Sequence, residues 1–239
     1  MWNGFSSEEF TFAGRNATIV FPSCAPNGRL LLKPEYLPAF PRFDAAMLRL
    51  GYHLINLTHP TRWASAEETR VTAEFAQYCA EKLRADPRCV LEGMSCGGLQ
   101  AARFAEEYPA QTAVVYLDNP VLNLLSAAGL GAGREPDTET FFSEIAETYH
   151  VDRSTLVNLR ESPIDNMSPL IEHRIPVILL YGDADTLIIG AENSRVLEDY
   201  YRAHGGTLEV IVRRGAGHHP HGLDNPAPII DFIERHFPK

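Results

Sequence analysis

The sequence predicts an α/β protein in which a mostly parallel sheet carries helices on both faces. Short apolar runs rich in β-branched residues alternate along the chain with helical patterns, and this alternation is typical of parallel sheets. The runs are apolar throughout, as expected of strands that helices cover on both sides. With 239 residues and 45% hydrophobic content, the chain is long enough for one domain, residues 1–239, with a large core.

Six apolar runs are strand candidates, and five helical patterns lie between or after them. The strand candidates begin at Ala17, Tyr52, Cys89, Thr112, Pro176 and Leu208. The helical patterns cover residues 43–50, 66–83, 98–107, 191–204 and 228–236. The opening stretch FTFAGRNATIVF has the pattern of an antiparallel hairpin at one edge of the sheet.

One interval, residues 119–175, interrupts the alternation because it is too long for a single connecting helix. It contains SAAGLGAGREPDTET, which is rich in Gly, Pro and polar residues, followed by the helical pattern FFSEIAETYHV. We interpret the interval as a small helical lid inserted over the sheet.

Charge and composition argue against several functional classes. The 21 basic and 31 acidic residues give a net charge of −10 with no local basic patch, so a nucleic-acid partner is not expected. No apolar run is long enough for a membrane span, and the start MWNGFSSEEF does not resemble a signal peptide, which predicts a cytoplasmic protein. The four cysteines show no C-x-x-C spacing and favour reduced thiols over a metal site.

The segment GMSCG, Gly93 to Gly97, has the G-x-S-x-G pattern of a nucleophile elbow. It follows the apolar run RCVLEG, and ligands of parallel sheets gather at the carboxyl ends of strands. The tight turn strains the backbone of Ser95, and the residues two before and two after it must be small to avoid the neighbouring strand and helix. The helical pattern LQAARFAEEYP follows, as the motif requires.

A nucleophilic serine needs a histidine base and a carboxylate that orients the base. Both follow downstream, each after an apolar strand. The stretch ILLYGDADTLI supplies Asp183 and Asp185, and VIVRRGAGHHPHGL supplies three closely spaced histidines. Asp118, at the end of the strand after the elbow helix, is an alternative acid.

With the motifs GMSCGG, YGDADTLI and GAGHHPHGLDNP, the chain resembles the α/β-hydrolase superfamily over nearly its full length. The segments KPEYLPAF and GHHPHGL are most similar to bacterial serine hydrolases of the prolyl-oligopeptidase and esterase branch. The resemblance implies an α/β-hydrolase fold with Ser95 as nucleophile, Asp185 as acid and His218 as base. It selects Asp185 because relatives place the acid three residues after the glycine matched by Gly182.

The resemblance also implies an oxyanion hole, with the backbone N–H of Cys96 as one donor. A second donor is expected from the loop after ATIVFP, where the lipase motif HGGG is absent and SCAPNGRLLLKPEYL stands instead. We predict Leu30 for this donor, with Leu31 as its alternative. Cys96 itself is not expected to be the nucleophile, because Met94 stands where the elbow needs a glycine.

These observations predict a serine hydrolase that forms an acyl-enzyme on Ser95 and cleaves a small carboxylic ester, such as an acylated sugar or a similar metabolite. Neither a metal nor an organic cofactor is expected, and the expected partner is a small-molecule substrate. Two alternatives stay open: an aminopeptidase of the prolyl-oligopeptidase type, and a non-catalytic binding protein on the same scaffold. The sequence does not predict an oligomeric state.

Overall fold

Eight strands form one sheet in the computed structural model, which describes residues 1–132 and 138–238. The strands are β1 Ser7–Phe12, β2 Arg15–Val20, β3 Leu30–Leu32, β4 His53–Leu57, β5 Cys89–Met94, β6 Thr112–Asp118, β7 Val177–Gly182 and β8 Leu208–Arg213. Their order across the sheet is β1-β2-β4-β3-β5-β6-β7-β8. The pairs β1–β2 and β2–β4 are antiparallel and the remaining five are parallel, which confirms the predicted fold class and edge hairpin.

Helices cover both faces of this sheet. They are α1 Arg42–Arg49, α2 Ala66–Leu83, α3 Cys96–Glu107, α4 Thr138–Tyr149, α5 Ser168–Glu172, α6 Ser194–Ala203 and α7 Ala227–His236. Apolar side chains of α2, α3, α5 and α6 pack in the core on one face. Those of α1 and α7 pack in a second core on the other face. The continuously apolar strands are therefore buried from both sides, as their composition predicts.

The strand β3 is absent from the sequence-based assignment, which treats its residues as part of a loop. It has only three residues, too few for a periodic pattern, yet it lies between β4 and β5 in the middle of the sheet. Parallel pairing on both sides supplies the hydrogen bonds that its length alone would not suggest.

The predicted lid has two structural parts. The helix α4 packs Phe141 and Ile145 against Trp63 and Cys96 in a third apolar cluster, outside the two sheet cores. By contrast, Met167 and the short helix α5 belong to the core on the α3 face. The covering part of the interval is therefore shorter than residues 119–175, of which residues 133–137 lie outside the described residues.

Two contacts hold α4 against the loop that follows β4. Glu144 accepts two hydrogen bonds from Arg62, at 2.8 and 3.0 Å, and one from the Trp63 indole at 2.6 Å. The Tyr149 hydroxyl donates to the Trp63 carbonyl at 2.6 Å. No helix in the described part of the chain has both the length and the apolar character that crossing a membrane requires.

Candidate active site

The elbow is a strained turn between β5 and α3. Ser95 has φ +52° and ψ −123°, a backbone conformation that residues other than glycine rarely adopt. A Cβ atom on Gly93 would lie 2.7 Å from the carbonyl oxygen of Gly97, and one on Gly98 would overlap Pro120. These close approaches explain why the sequence surrounds the serine with glycines.

Backbone hydrogen bonds fix the strained residue from both sides. The Ser95 N–H donates to the carbonyl of Asp118 at 3.1 Å, and the Ser95 carbonyl accepts from Gly98 and Val121 at 2.9 Å each. The elbow is thus tied to the end of β6, the neighbouring parallel strand. Strain of this kind persists only where the surroundings hold it, and it places the serine side chain at the sheet edge.

Ser95, His218 and Asp185 form a hydrogen-bonded chain. The Nε2 atom of His218 lies 3.0 Å from the Ser95 Oγ, and its Nδ1 atom lies 2.7 Å from Oδ2 of Asp185. Both His218 and Asp185 are buried. The structure therefore brings together the three side chains that the sequence selects from separate strand ends.

The loop after β7 orients the Asp185 carboxylate. Its Oδ1 accepts from the amides of Leu187 and Ile188, each at 2.9 Å, which leaves Oδ2 for the histidine. Gly182 lets this loop approach the histidine loop, because a Cβ there would collide with the backbone of Ala216. The Asp185 carboxylate is therefore held by two amides of the loop after β7 and by His218 in the loop after β8.

Sequence reasoning missed Asn119, which links three strand ends. Its side-chain oxygen accepts from the Gly182 amide at 2.8 Å, and its Nδ2 donates to the His218 carbonyl at 2.8 Å. Asn119 has φ +42°, which asparagine tolerates better than most residues. The feature of the sequence that could have identified Asn119 is its short amide side chain directly after a buried strand.

Asp118 and Asp183 do not contact the base. Asp118 is buried and accepts from Arg213 at 3.1 Å, from Tyr116 at 3.2 Å and from the Gly222 amide. Asp183 accepts from the Gly215 amide at 2.6 Å at the other side of its loop. Both carboxylates have structural partners, so Asp185 is the carboxylate that the geometry joins to His218.

The other two histidines of the loop pack around His218. His219 is exposed, but the part of its ring that packs against the loop is desolvated. This desolvation and the neighbouring His218 lower the pKa of His219. His221 is buried, and both rings contact Phe40, with which His219 is stacked. Neither ring is hydrogen-bonded to the serine; the structure brings only His218 to that position.

Cys96 is the first residue of α3, so its N–H has no carbonyl partner within the helix. Its thiol is buried in the apolar cluster beside α4, and burial raises its pKa to about 11. A thiol in this state is protonated near neutral pH and is a poor nucleophile. The backbone N–H of Cys96 is at the position expected of an oxyanion donor. The thiol is not the candidate group.

The structure places Leu30 away from the serine. Leu30 is the first residue of β3 and pairs in register with Cys89, the first residue of β5, whereas Ser95 follows the last residue of β5. The two residues thus stand at opposite ends of parallel strands, and the Leu30 amide does not face the serine. The prediction failed because it took β3 for a loop.

The loop after β3 offers another donor. Lys33 donates its N–H to the Ile55 carbonyl, and Pro34 has no N–H. The next N–H along the loop is that of Glu35, whose nitrogen lies 3.9 Å from the Cβ position of Gly97 at the start of α3. Of the residues in this loop, Glu35 best fits the second oxyanion donor.

A cavity of about 490 Å³ opens between the loop after β4 and α4, with Glu35, Arg62 and Glu147 in its lining. Its lining approaches the elbow at Glu35, whose Cβ lies 3.2 Å from the Cβ position of Gly97. The neighbouring apolar cluster, which includes Cys96, Leu124 and Ile188, is closely packed. The cavity therefore offers a polar surface near the elbow.

These features define the class: a serine, histidine and aspartate triad on an α/β-hydrolase fold. No protein-family model matches the chain, and no curated protein has a significantly similar sequence. Solved structures do match it. Pyrococcus horikoshii acylaminoacyl peptidase superposes with a TM-score of 0.74 at 12% identity, over 98% of this chain and 42% of that protein.

Two further structures give the same result. A puromycin-hydrolyzing peptidase of Mycobacterium tuberculosis matches with a TM-score of 0.70 at 13% identity, over 96% of this chain and 38% of that one. Porphyromonas gingivalis dipeptidyl peptidase 4 matches at 0.71 and 13%, over 99% and 36%. The chain thus spans about two fifths of the length of these proteins, and at such identities the likeness establishes the α/β-hydrolase fold.

Proposed function

We propose that this protein is a serine hydrolase that cleaves a small carboxylic ester through an acyl-enzyme on Ser95. The observation that carries the proposal is the hydrogen-bonded chain from Ser95 Oγ through His218 to Asp185, at 3.0 and 2.7 Å. A serine hydroxyl is a weak nucleophile unless an adjacent base accepts its proton, and His218 Nε2 is within the distance that such a transfer needs.

In the acylation step, Ser95 Oγ attacks the ester carbonyl carbon while His218 Nε2 takes the hydroxyl proton. The amides of Cys96 and Glu35 stabilise the negative charge that develops on the carbonyl oxygen. The carbon–oxygen bond to the alcohol then breaks, and His218 returns the proton to the leaving oxygen. Asp185 holds the ring orientation and stabilises the imidazolium.

In the deacylation step, His218 takes a proton from water, and the resulting hydroxide attacks the acyl carbon on Ser95. The tetrahedral intermediate collapses with the proton returning to Ser95 Oγ, which releases the carboxylic acid. These steps use the residues of the chain and water, and no cofactor enters them.

The surroundings of the elbow support a small ester as the substrate. The polar cavity lined by Glu35 and Arg62 suits a hydrogen-bonding group such as a hydroxylated alcohol. A substrate with such an alcohol group is compatible with an acylated sugar or a similar metabolite.

A peptidase is the second candidate, and two observations favour it. The similar solved structures are named as an acylaminoacyl peptidase, a puromycin-hydrolyzing peptidase and a dipeptidyl peptidase. The cavity between the loop after β4 and α4 is also lined by the carboxylates of Glu35 and Glu147, which suit the ammonium group of an aminoacyl substrate. The leaving group would then be an amine in place of an alcohol.

The deciding experiment combines labelling with a substrate panel. A fluorophosphonate probe followed by mass mapping should label Ser95, and Ser95→Ala should abolish both labelling and turnover. The exposed serine of α4 provides the matched control, Ser143→Ala, which should behave as the wild type. Relative kcat/KM for p-nitrophenyl esters and for aminoacyl p-nitroanilides then separates esterase from peptidase.

Each candidate has its own contradicting result. Faster turnover of the anilides than of all esters favours the peptidase. Absence of labelling in folded wild-type protein, with turnover of neither substrate class, favours the non-catalytic binding protein and overturns the hydrolase. Labelling of a serine other than Ser95 overturns the assignment of the nucleophile.

A further inference from the structure

The histidines at positions 218, 219 and 221 form a compact cluster, and the triad uses only one of them. Their ring centroids lie 4.7, 4.9 and 5.0 Å apart, so the three rings form a nearly equilateral triangle. The ring planes are inclined at 71°, 82° and 89° to one another. One ring nitrogen from each residue lies within 4.8 Å of the other two.

We propose that this cluster binds a single Zn²⁺ ion, and that the ion inhibits the enzyme by occupying the catalytic histidine. Three neutral imidazoles are a ligand set suited to zinc, and a tetrahedral ion with bonds of 2.0–2.1 Å needs its nitrogens about 3.3 Å apart. Closing from 4.8 Å to this spacing requires side-chain rotation, and the exposed His219 can supply it by moving its ring away from Phe40.

Carboxylates behind two of the rings support the metal site. Histidines that bind a metal usually donate their other ring N–H to a carboxylate, which fixes the tautomer. His218 Nδ1 lies 2.7 Å from Asp185, and His221 Nδ1 lies 3.3 Å from Asp118. In His218 this hydrogen bond leaves Nε2 with the lone pair that a metal ion needs, and the carboxylate beside His221 Nδ1 favours the same tautomer there.

His221 provides the independent sign of an incomplete site. Its Nδ1 is buried and has no hydrogen-bond partner, because the contact with Asp118 lacks hydrogen-bonding geometry. An unpaired buried polar atom costs free energy. Metal binding at Nε2 would hold the proton on Nδ1, and a small rotation of the ring would then let this N–H donate to Asp118, 3.3 Å away.

An ion can reach the cluster from two sides. His219 is exposed, and His221 lines a cavity of about 870 Å³ between α1 and the histidine loop, with Phe40 and Met94 also in its wall. The nitrogen of His218 that the ion would take is the one that accepts the Ser95 proton. Bound zinc and proton transfer therefore exclude each other, and the inhibitory part of the inference rests on the proposed function.

Calorimetric titration of the metal-free chain with zinc chloride tests the site directly. We expect one Zn²⁺ per chain, and His219→Gln and His221→Gln should each weaken binding at least tenfold. The exposed residue at the end of α5 gives the matched control, His173→Gln, which should bind as the wild type. Magnesium chloride should give no binding, since Mg²⁺ prefers oxygen ligands.

Hydrolysis and fluorophosphonate labelling test the inhibition. Zinc should block both in the wild type, a chelator should restore them, and the inhibition constant should rise at least tenfold in His219→Gln. The rate of each variant is compared with its own metal-free rate. His219 is exposed, so its variant decides the question even where His221→Gln fails to fold.

Unchanged zinc affinity in His219→Gln overturns the site, as does the absence of binding to the wild type. One-to-one binding that leaves labelling and hydrolysis unaffected overturns the link to His218. If the wild type hydrolyses none of the substrates, the proposed function fails, while calorimetry still reports whether the metal site exists.

Discussion

Two carboxylates lie at the same edge of the sheet, and each stands behind a different histidine. Asp185 contacts His218 at 2.7 Å, while Asp118 accepts from Arg213, Tyr116 and the Gly222 amide. Asp118 is thus part of a buried structural network beside the triad. The two residues are chemically identical, and their neighbours give them different roles.

Exchanging each acid for its amide separates these roles. Asp185→Asn should lower kcat by about 10⁴-fold, because the histidine loses the group that holds its tautomer and stabilises its charge. Asp118→Asn should lower the melting temperature and reduce kcat far less. Steady-state kinetics and thermal unfolding of both variants check this ranking, and the reverse order in kcat would move the acid to Asp118.

The proposed oxyanion donor of Glu35 is its backbone N–H, so the test removes that N–H. Glu35→Pro should lower kcat by about 10²–10³-fold, the usual effect of losing one oxyanion donor. Glu35→Ala keeps the N–H and is the matched control, expected near the wild-type kcat. Circular dichroism establishes that both variants fold. Equal losses in the two variants would assign the effect to the carboxylate and not to the amide.

At the scale of the elements, the elbow depends on the close contact between α3 and the chain after β6. Gly98, in the first turn of α3, lies against Pro120, and Gly93, near the end of β5, lies against the same helix. Ser95 can hold its strained conformation only because these backbones approach so closely. The first turn of α3 therefore packs against β5 and the chain after β6 through its backbone, whereas most helices pack through their side chains.

Gly98→Ala should destabilise the fold by about 1–3 kcal/mol, the usual cost of overpacking, because its Cβ would overlap Pro120. Gly190→Ala is the matched control, since its nearest neighbour is the Tyr181 ring at 3.8 Å, an ordinary contact. Urea unfolding measures both changes. A Gly98→Ala variant as stable as the Gly190→Ala variant would show that Pro120 moves aside without cost.

A buried ion pair holds the loop after β3, which carries the proposed oxyanion donor Glu35. Lys33 is fully buried and donates to Asp44 at 2.7 Å and to the Ala39 carbonyl at 2.8 Å. It also lies 3.5 Å from Glu92, whose pKa burial and the neighbouring Asp44 raise. The loop is thus fixed to α1 and β5 by charge, although it has little regular structure.

At the scale of the whole molecule, one buried carboxylate makes stability depend on pH. Glu106, on α3, is buried, and one of its carboxylate oxygens has no hydrogen-bond partner. Burial raises the pKa of Glu106 well above its ordinary value, against a smaller opposing effect of Arg103. The folded protein therefore retains this proton to a higher pH than the unfolded chain does.

The direction of the pH dependence of stability follows from this difference in pKa between the folded and unfolded states. Below the unfolded pKa both states are protonated and the full stability is present; as pH rises toward the folded pKa, the unfolded chain ionises first and stability falls. Each unit of pKa elevation corresponds to about 1.4 kcal/mol. Glu106→Gln removes this loss, so the variant should gain stability relative to the wild type between about pH 4.5 and neutrality.

Urea unfolding at several pH values measures the effect. The exposed Glu9 provides the control, Glu9→Gln, which should keep the slope of the wild type. A Glu106→Gln variant whose stability follows the wild-type pH dependence would show that Glu106 ionises equally in both states.

The sequence by itself determined the parallel fold, the edge hairpin and the nucleophile elbow. Each depends on local physics: continuous apolar runs form strands covered on both faces, and the turn at Ser95 requires glycine on either side. The strand ends also indicated a group of candidate acids and bases, from which the resemblance to α/β-hydrolases selected Asp185 and His218. These features are visible without tertiary contacts because the cause and the residue lie within a few positions of each other.

Tertiary structure decided the remainder. The strand β3 forms because β4 and β5 pair with it, and this pairing moves Leu30 to the far end of the sheet. Asn119 joins residues 63 and 99 positions away, and Glu35, in the loop after β3, approaches the start of α3. Such contacts depend on strand register and loop path, which no local pattern encodes, so only the folded chain could show them.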